Sequence, residues 1–226
     1  MFFTLLIILT AVPSYLLGSV NGAIITSRIF YRKDIRDYGS GNPGLTNFYR
    51  TFGKGGFLLV VLIDAVKTIA PVIFGGWLFA HFTEMYLIEV GPFYRFFEAT
   101  FFGQALAGFF VMLGHCFPVF YKFKGGKGVM AIGCIVIVID WRLALIAWGV
   151  FILVTIITRY VSLGAILGSI AFPVSMAILN IGGLAEINII TLCVLLVIVR
   201  HIPNIKRLLK GEESKLKIKR NKERVE

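Results

Sequence analysis

Charge is scarce in this chain, and its cysteines form no pairs. Only 15% of the 226 residues are Asp, Glu, Lys or Arg, against 58% hydrophobic and a mean hydropathy of +0.85. That balance lies outside the range of soluble globular domains and inside that of polytopic membrane proteins. Cys116, Cys134 and Cys193 stand singly at apolar positions with no Cys-x-x-Cys motif, so no disulfide framework is expected. His81, His115 and His201 are too scattered for metal-ligand spacing; we expect no metal and no cofactor. A Gly-x-Ser-x-Gly nucleophile elbow is also missing.

The net charge is +11, but ten of the 23 Lys and Arg lie from Arg200 onward. Residues 213–226 read as a basic, disordered tail that touches anionic headgroups, following a single membrane domain over 1–212. The tail lacks aromatic interleaving for base stacking, so nucleic acid is not an expected partner. Met1 to Leu17 has no basic leader and no small-x-small cleavage site, and reads as a retained first span.

A hydrocarbon core about 30 Å thick takes about 20 helical residues. Phe2–Ile29, Gly56–Phe79, Ala99–Phe117, Val161–Leu179 and Leu184–Val199 qualify, and Gly128–Thr158 is interrupted by Asp140-Trp141-Arg142. If that interruption is an outside turn, 20 basic residues share one side and only Arg95 and Arg142 face the other. Because Lys and Arg excess marks the cytoplasm, the expected fold is an all-α polytopic protein of about seven transmembrane helices, N-terminus out and C-terminus in.

Three polar clusters then meet on the cytoplasmic face. The first, Gly39-Ser40-Gly41-Asn42-Pro43-Gly44, has the glycines of a positive-φ turn whose backbone N–H groups could converge on an anion. Ser40, Thr46 and Asn47 offer side-chain donors, Arg50 adds charge, and Asp34 and Arg36 lead into the block. In the second, Gly125-Gly126-Lys127-Gly128 precedes a helix and suits an oxyanion. It is no Walker A loop, which would need Gly at Tyr121 and Ser or Thr at Gly128. The third places His201 and Asn204 three residues apart, on one face if the turn containing Pro203 is helical. Asp64 and Lys67, one turn apart inside a span, read as a supporting pair, since a lone charge at mid-membrane costs about 2.5–3.5 kcal/mol.

Together these blocks resemble the bacterial acyl-phosphate:glycerol-3-phosphate acyltransferase family, PlsY. The resemblance rests on Gly18-Ser19, Asp34-Ile35-Arg36, Gly39 to Gly44, Thr46-Asn47, Arg50, Gly114-His115, Phe117-Pro118, Gly125 to Val129, His201, Asn204, Arg207 and Gly211. It implies a seven-helix enzyme of the bacterial cytoplasmic membrane. Such an enzyme transfers an acyl group from acyl phosphate to the 1-hydroxyl of glycerol 3-phosphate, without a protein nucleophile, giving lysophosphatidic acid and phosphate. It implies that residues matching Ser40, Arg50, Lys127, His201 and Asn204 handle the two phosphates, with Ser162 among the substrate contacts and His115 as support. The substrate's own phosphate would serve as base, and the enzyme that makes acyl phosphate is a candidate partner. The chain departs from the family at Asn21 (usually Pro), at Leu45 (usually Ala) and at Ala165, where a second serine helps hold glycerol 3-phosphate. The segment Ala80 to Glu98 is also longer than in the family.

The residues agree with such chemistry. A mixed anhydride carries its own leaving group, so positioning and electrostatics suffice. The His-x-x-x-x-Asp dyad of soluble-type acyltransferases is missing, since Tyr86, Phe120 and Lys206 stand five beyond the histidines. The other classes are a transporter of small phosphorylated anions, which would show repeat symmetry and a midplane site, and a noncatalytic homologue. Oligomeric state has no signal in the sequence.

Overall fold

The structure, a computed structural model, describes residues 2–86 and 92–216, the side chains of residues 83–98 excepted. The tail beyond Leu216, the middle of the long Ala80–Glu98 segment and the side chains of Glu84, Glu89, Arg95 and Glu98 lie outside what is described. Ten α-helices are described: α1 Phe2–Gly18, α2 Gly22–Tyr31, α3 Leu45–Phe52, α4 Phe57–Tyr86, α5 Pro92–Cys116, α6 Val129–Ile139, α7 Trp141–Thr158, α8 Val161–Leu179, α9 Leu184–Arg200 and α10 Ile202–Leu209. Short 3-10 turns at Ile35–Asp37 and Val119–Tyr121 complete the described elements.

The bundle is apolar outside as well as inside. Leu58, Val66 and Trp77 on α4 and Ile156 and Ile157 on α7 are more than half exposed, the pattern of lipid-facing helices. With lipid as apolar as leucine, close packing has to come from small residues. The α4–α5 contact shows it: a Cβ on Gly75 would sit 2.7 Å from the Gly103 carbonyl oxygen, so only glycine lets these backbones touch. A core of Val72, Val111, Ile135, Phe172, Ile190 and Val197 joins α4, α5, α6, α8 and α9.

All seven expected apolar segments are helical, with two refinements. The first is two helices: the chain breaks at Ser19–Asn21, where Asn21 Oδ1 accepts from Ile24 N at 2.9 Å and caps α2. Asn21 Nδ2 also donates to the Pro43 carbonyl at 3.0 Å, tying the break to the first polar loop. The second is at Asp140, where the break is the expected one but the helix before it is short. Asp140 ends α6 and caps α7 by accepting from Arg142 N at 2.7 Å. At 11 residues, or about 16 Å, α6 is too short to cross a bilayer by itself. By length and apolarity five helical runs can cross, or six if α9 and α10, bent by 56°, count as one broken span. Pro203 falls in the first turn of α10, where its missing N–H is harmless.

Candidate active site

The three polar clusters line one cavity of about 710 Å³. Ser40, Arg50, Lys127, His201 and Asn204 all face it, with Gly39, Asn42, Gly44, Thr46, Asn47, Gly128 and Ser162. Asp64 and His115 line it too, whereas Gly41, Gly125, Gly126, Asp34, Arg36 and Lys67 are not among its lining residues.

The first loop differs from a backbone nest. Ser40 N donates to Asn47 Oδ1 at 3.0 Å, Gly41 N to the Tyr38 carbonyl at 3.0 Å, and Gly44 N to the Asn42 carbonyl at 2.9 Å. Asn47 Nδ2 donates to the Tyr38 and Ile35 carbonyls. These groups stabilise the loop and are turned away from a guest. Asn47 thus uses both ends of its amide within the loop, and it also lines the cavity. Asp34 braces the loop's entry: Arg36 grips its carboxylate through two nitrogens at 2.9 and 2.7 Å and Arg28 adds a third contact at 2.8 Å. The Arg36 hydrogen bonds hold this carboxyl well below the usual range.

The donors aimed at the cavity are instead helix N-termini. α3, α6, α8 and α10 all begin at the cavity rim, preceded by Gly44, Gly128, Tyr160 and His201, and none of the four has a side-chain cap. Away from the cavity, α2 and α7 are capped by Asn21 and Asp140. Each uncapped start leaves amides without intrahelical partners and the positive end of a dipole, which together favour an anion. Gly128 reaches this position at φ +81°, where a side chain would be strained.

Two residues outside the expected set complete the site. Arg200 donates from Nε to the Gly126 carbonyl at 3.0 Å and from a terminal nitrogen to the Gly125 carbonyl at 2.8 Å, so one guanidinium fork holds the glycine loop. Gly126 must lack a side chain because a Cβ there would collide with the His115 ring. Glu213 is the other. Its carboxylate accepts from Ser162 Oγ at 2.7 Å, Asn204 Nδ2 at 2.6 Å and Arg207 Nε at 2.7 Å. Burial alone would raise this carboxyl, yet hydrogen bonds from Asn204, Ser162 and Arg207 hold it below its ordinary range. The start of the tail is thus anchored in the cavity wall, and Leu216 N donates to the Arg159 carbonyl at 2.7 Å.

Lys127 Nζ donates to Asn204 Oδ1. Asn204, itself in the cavity lining, therefore links Lys127 to Glu213 through the two ends of its amide. Burial, with repulsion from Arg207, pushes the Lys127 ammonium down to about 8. His201 shares a 2.8 Å hydrogen bond between Nδ1 and the Val197 carbonyl. A carbonyl can only accept, so Nδ1 carries the proton and the lone pair of the neutral ring sits on Nε2. At the α1–α2 break, Lys67 Nζ lies 2.7 Å from Asp64 Oδ1, 3.0 Å from His115 Nδ1 and 2.6 Å from the Val20 carbonyl. Gly22 N donates to Asp64 at 3.2 Å, so this buried group stitches the α1–α2 break to α4 and α5. Ala165 lines the cavity one turn below Ser162 and contributes no hydroxyl there. Leu45, the first residue of α3, also lines it.

Inward from this cationic mouth the lining becomes apolar, with Ile132, Val136, Ala147, Trp148, Phe151 and Phe172. A helical bundle with a cationic mouth above an apolar trough suits an amphiphilic anion. The comparisons give the family. Residues 8–211 match the family model described as glycerol-3-phosphate acyltransferase. A glycerol-3-phosphate acyltransferase of Thermoanaerobacter pseudethanolicus is 37% identical over 92% of this chain and 95% of its own. One from Staphylococcus carnosus is 35% identical over 94% of this chain and 99% of its own. The crystal structure of PlsY, an integral membrane glycerol 3-phosphate acyltransferase, in its glycerol 3-phosphate form superposes with a TM-score of 0.76 at 29% identity, covering 93% of this chain and 96% of that one. Its lysophosphatidic acid form superposes with a TM-score of 0.75. The chain belongs to the glycerol-3-phosphate acyltransferase family, the PlsY family.

Proposed function

We propose that this protein transfers a fatty acyl group from acyl phosphate to the 1-hydroxyl of glycerol 3-phosphate, giving lysophosphatidic acid and phosphate. The observation that carries the reading is the continuity of the cavity: four uncapped helix starts and three cations, Arg50, Lys127 and Arg207, surround a mouth that opens into an apolar trough. The mouth offers cationic partners for phosphate, and the trough offers an apolar lining for an acyl chain. The charge distribution supports a place in the bacterial cytoplasmic membrane with the mouth facing the cytoplasm.

The reaction asks for little covalent help. The glycerol hydroxyl oxygen attacks the acyl carbon, the bond from that carbon to the phosphate oxygen breaks, and the hydroxyl proton leaves on the departing phosphate. His201 Nε2, with its lone pair, accepts from the hydroxyl and orients it. Arg50, Lys127 and the amides at the starts of α3 and α6 hold the phosphoryl oxygens and stabilise the charge that grows on the leaving phosphate. Ser40 stands at the same rim and adds a hydroxyl donor. Asn204, Glu213 and Arg200 keep these groups in place.

The test is purified protein given glycerol 3-phosphate with either acyl phosphate or acyl-CoA. Lysophosphatidic acid is expected from acyl phosphate. Its formation from acyl-CoA alone, or from neither donor, contradicts the proposal.

A further inference from the structure

The trough has a far end, where Phe172 stands with Val136 and Ala147. Along α8 the cavity wall runs from Ser162 through Ala165, Gly168 and Ser169 to Phe172 and goes no further. The ten residue steps from Ser162 to Phe172 rise about 15 Å along the helix. Ala165 and Gly168 leave room for a guest, whereas Phe172, 1% exposed, closes the end. Val136 of α6 and Ala147 of α7 line the cavity beside it. All three belong to the packed core that continues with Ile139, Leu143 and Met176. The side wall is equally fixed: Trp148 Nε1 donates to the Gly133 carbonyl at 3.1 Å, and a Cβ on Gly133 would sit 2.7 Å from the indole. A chain entering from the phosphate mouth therefore meets a rigid end.

We propose that Phe172 sets the upper length of the acyl chain this enzyme accepts. The inference rests on the acyl-phosphate reading above and adds a specificity-determining residue to it. A well-packed trough end discriminates chain lengths because each additional methylene must displace core atoms, and single methylenes in enzyme pockets change specificity by about 10-fold or more.

The experiment measures kcat/KM of purified protein with lauroyl, myristoyl, palmitoyl and stearoyl phosphate at saturating glycerol 3-phosphate. Phe172→Ala is expected to raise the stearoyl-to-myristoyl ratio about 10-fold, and Phe172→Leu to move it the same way by less. Ser169→Leu, which narrows the trough nearer the mouth, is expected to lower the ratio. If Phe172→Ala does not fold, Phe172→Leu and Ser169→Leu decide. Wild-type ratios in the folded variants overturn the length limit and leave the acyltransferase reading standing. A wild-type protein inactive with every acyl phosphate overturns both.

Discussion

Lys127 gives the site a pH signature that can be worked out in advance. Burial and the neighbouring arginines bring its ammonium down to about 8, and only the protonated form can neutralise a phosphoryl oxygen. The sign follows: binding is intact below that pH and fails above it, with the charged fraction falling from about nine-tenths at pH 7 to about one-tenth at pH 9. Phosphate monoesters lose their second proton near pH 6, so substrate titration is complete before this limb begins. Initial rates over pH 6.5 to 10 should therefore show kcat/KM, which reports the unliganded enzyme, dropping about tenfold per unit beyond pH 8. The limb in kcat should lie higher, since a bound dianion favours the ammonium. Lys127→Arg, whose guanidinium stays charged throughout, should lose the limb while keeping part of the activity. Lys127→Ala removes a charge-assisted hydrogen bond worth about 1.5–3 kcal/mol, or roughly 10- to 150-fold, below about pH 8, and the gap to wild type should close as the wild-type lysine deprotonates. An alkaline limb near pH 8 that survives in Lys127→Ala would refute the argument.

The supporting residues give further expectations. Arg200→Lys should lower kcat/KM about tenfold or more, because an ammonium cannot bridge the Gly125 and Gly126 carbonyls as the fork does, and small displacements of positioning groups are costly; wild-type kinetics would show that the loop holds its shape without Arg200. Asp64→Ala strands the buried Lys67 ammonium and should destabilise the protein by about 3–5 kcal/mol, read as a large fall in melting temperature in detergent. Glu213→Gln should also lower melting temperature at neutral pH. Because the folded Glu213 carboxyl is depressed, its contribution is complete above the ordinary carboxylate range and fades as pH falls through the folded value. The gap between wild type and Glu213→Gln should therefore narrow only once pH falls below the ordinary carboxylate range.

Most of the architecture was legible because hydropathy speaks loudly in a chain where lipid is the solvent. The Asp140 break announced itself as a charged pair, Asp140 and Arg142, inside an apolar run. The break between α1 and α2 did not, since Ser19 and Asn21 barely dilute their greasy neighbours; Asn21 directly before Gly22 was the available cue, an N-cap in place of the family's proline. Within the site, glycine and lysine clusters pointed to the right loops. Spacing could not reveal that the Ser40 and Gly41 amides turn inward while the start of α3 faces the cavity. Arg200 looked like one more cytoplasmic charge and Glu213 like part of a polar tail, because their partners lie 74 and 51 residues away, at Gly126 and Ser162. Sequence distance hides such pairings.

The central claim is that three distant stretches build one phosphate site, and single alanine substitutions at Arg50, Lys127 and His201 test it most directly, one residue from each stretch. With acyl phosphate and glycerol 3-phosphate as substrates, each purified, folded variant is expected to lose at least about tenfold in kcat/KM, the order of one charge-assisted contact or one orienting hydrogen bond. Wild-type turnover in any one of the three would remove its stretch from the site and contradict the account.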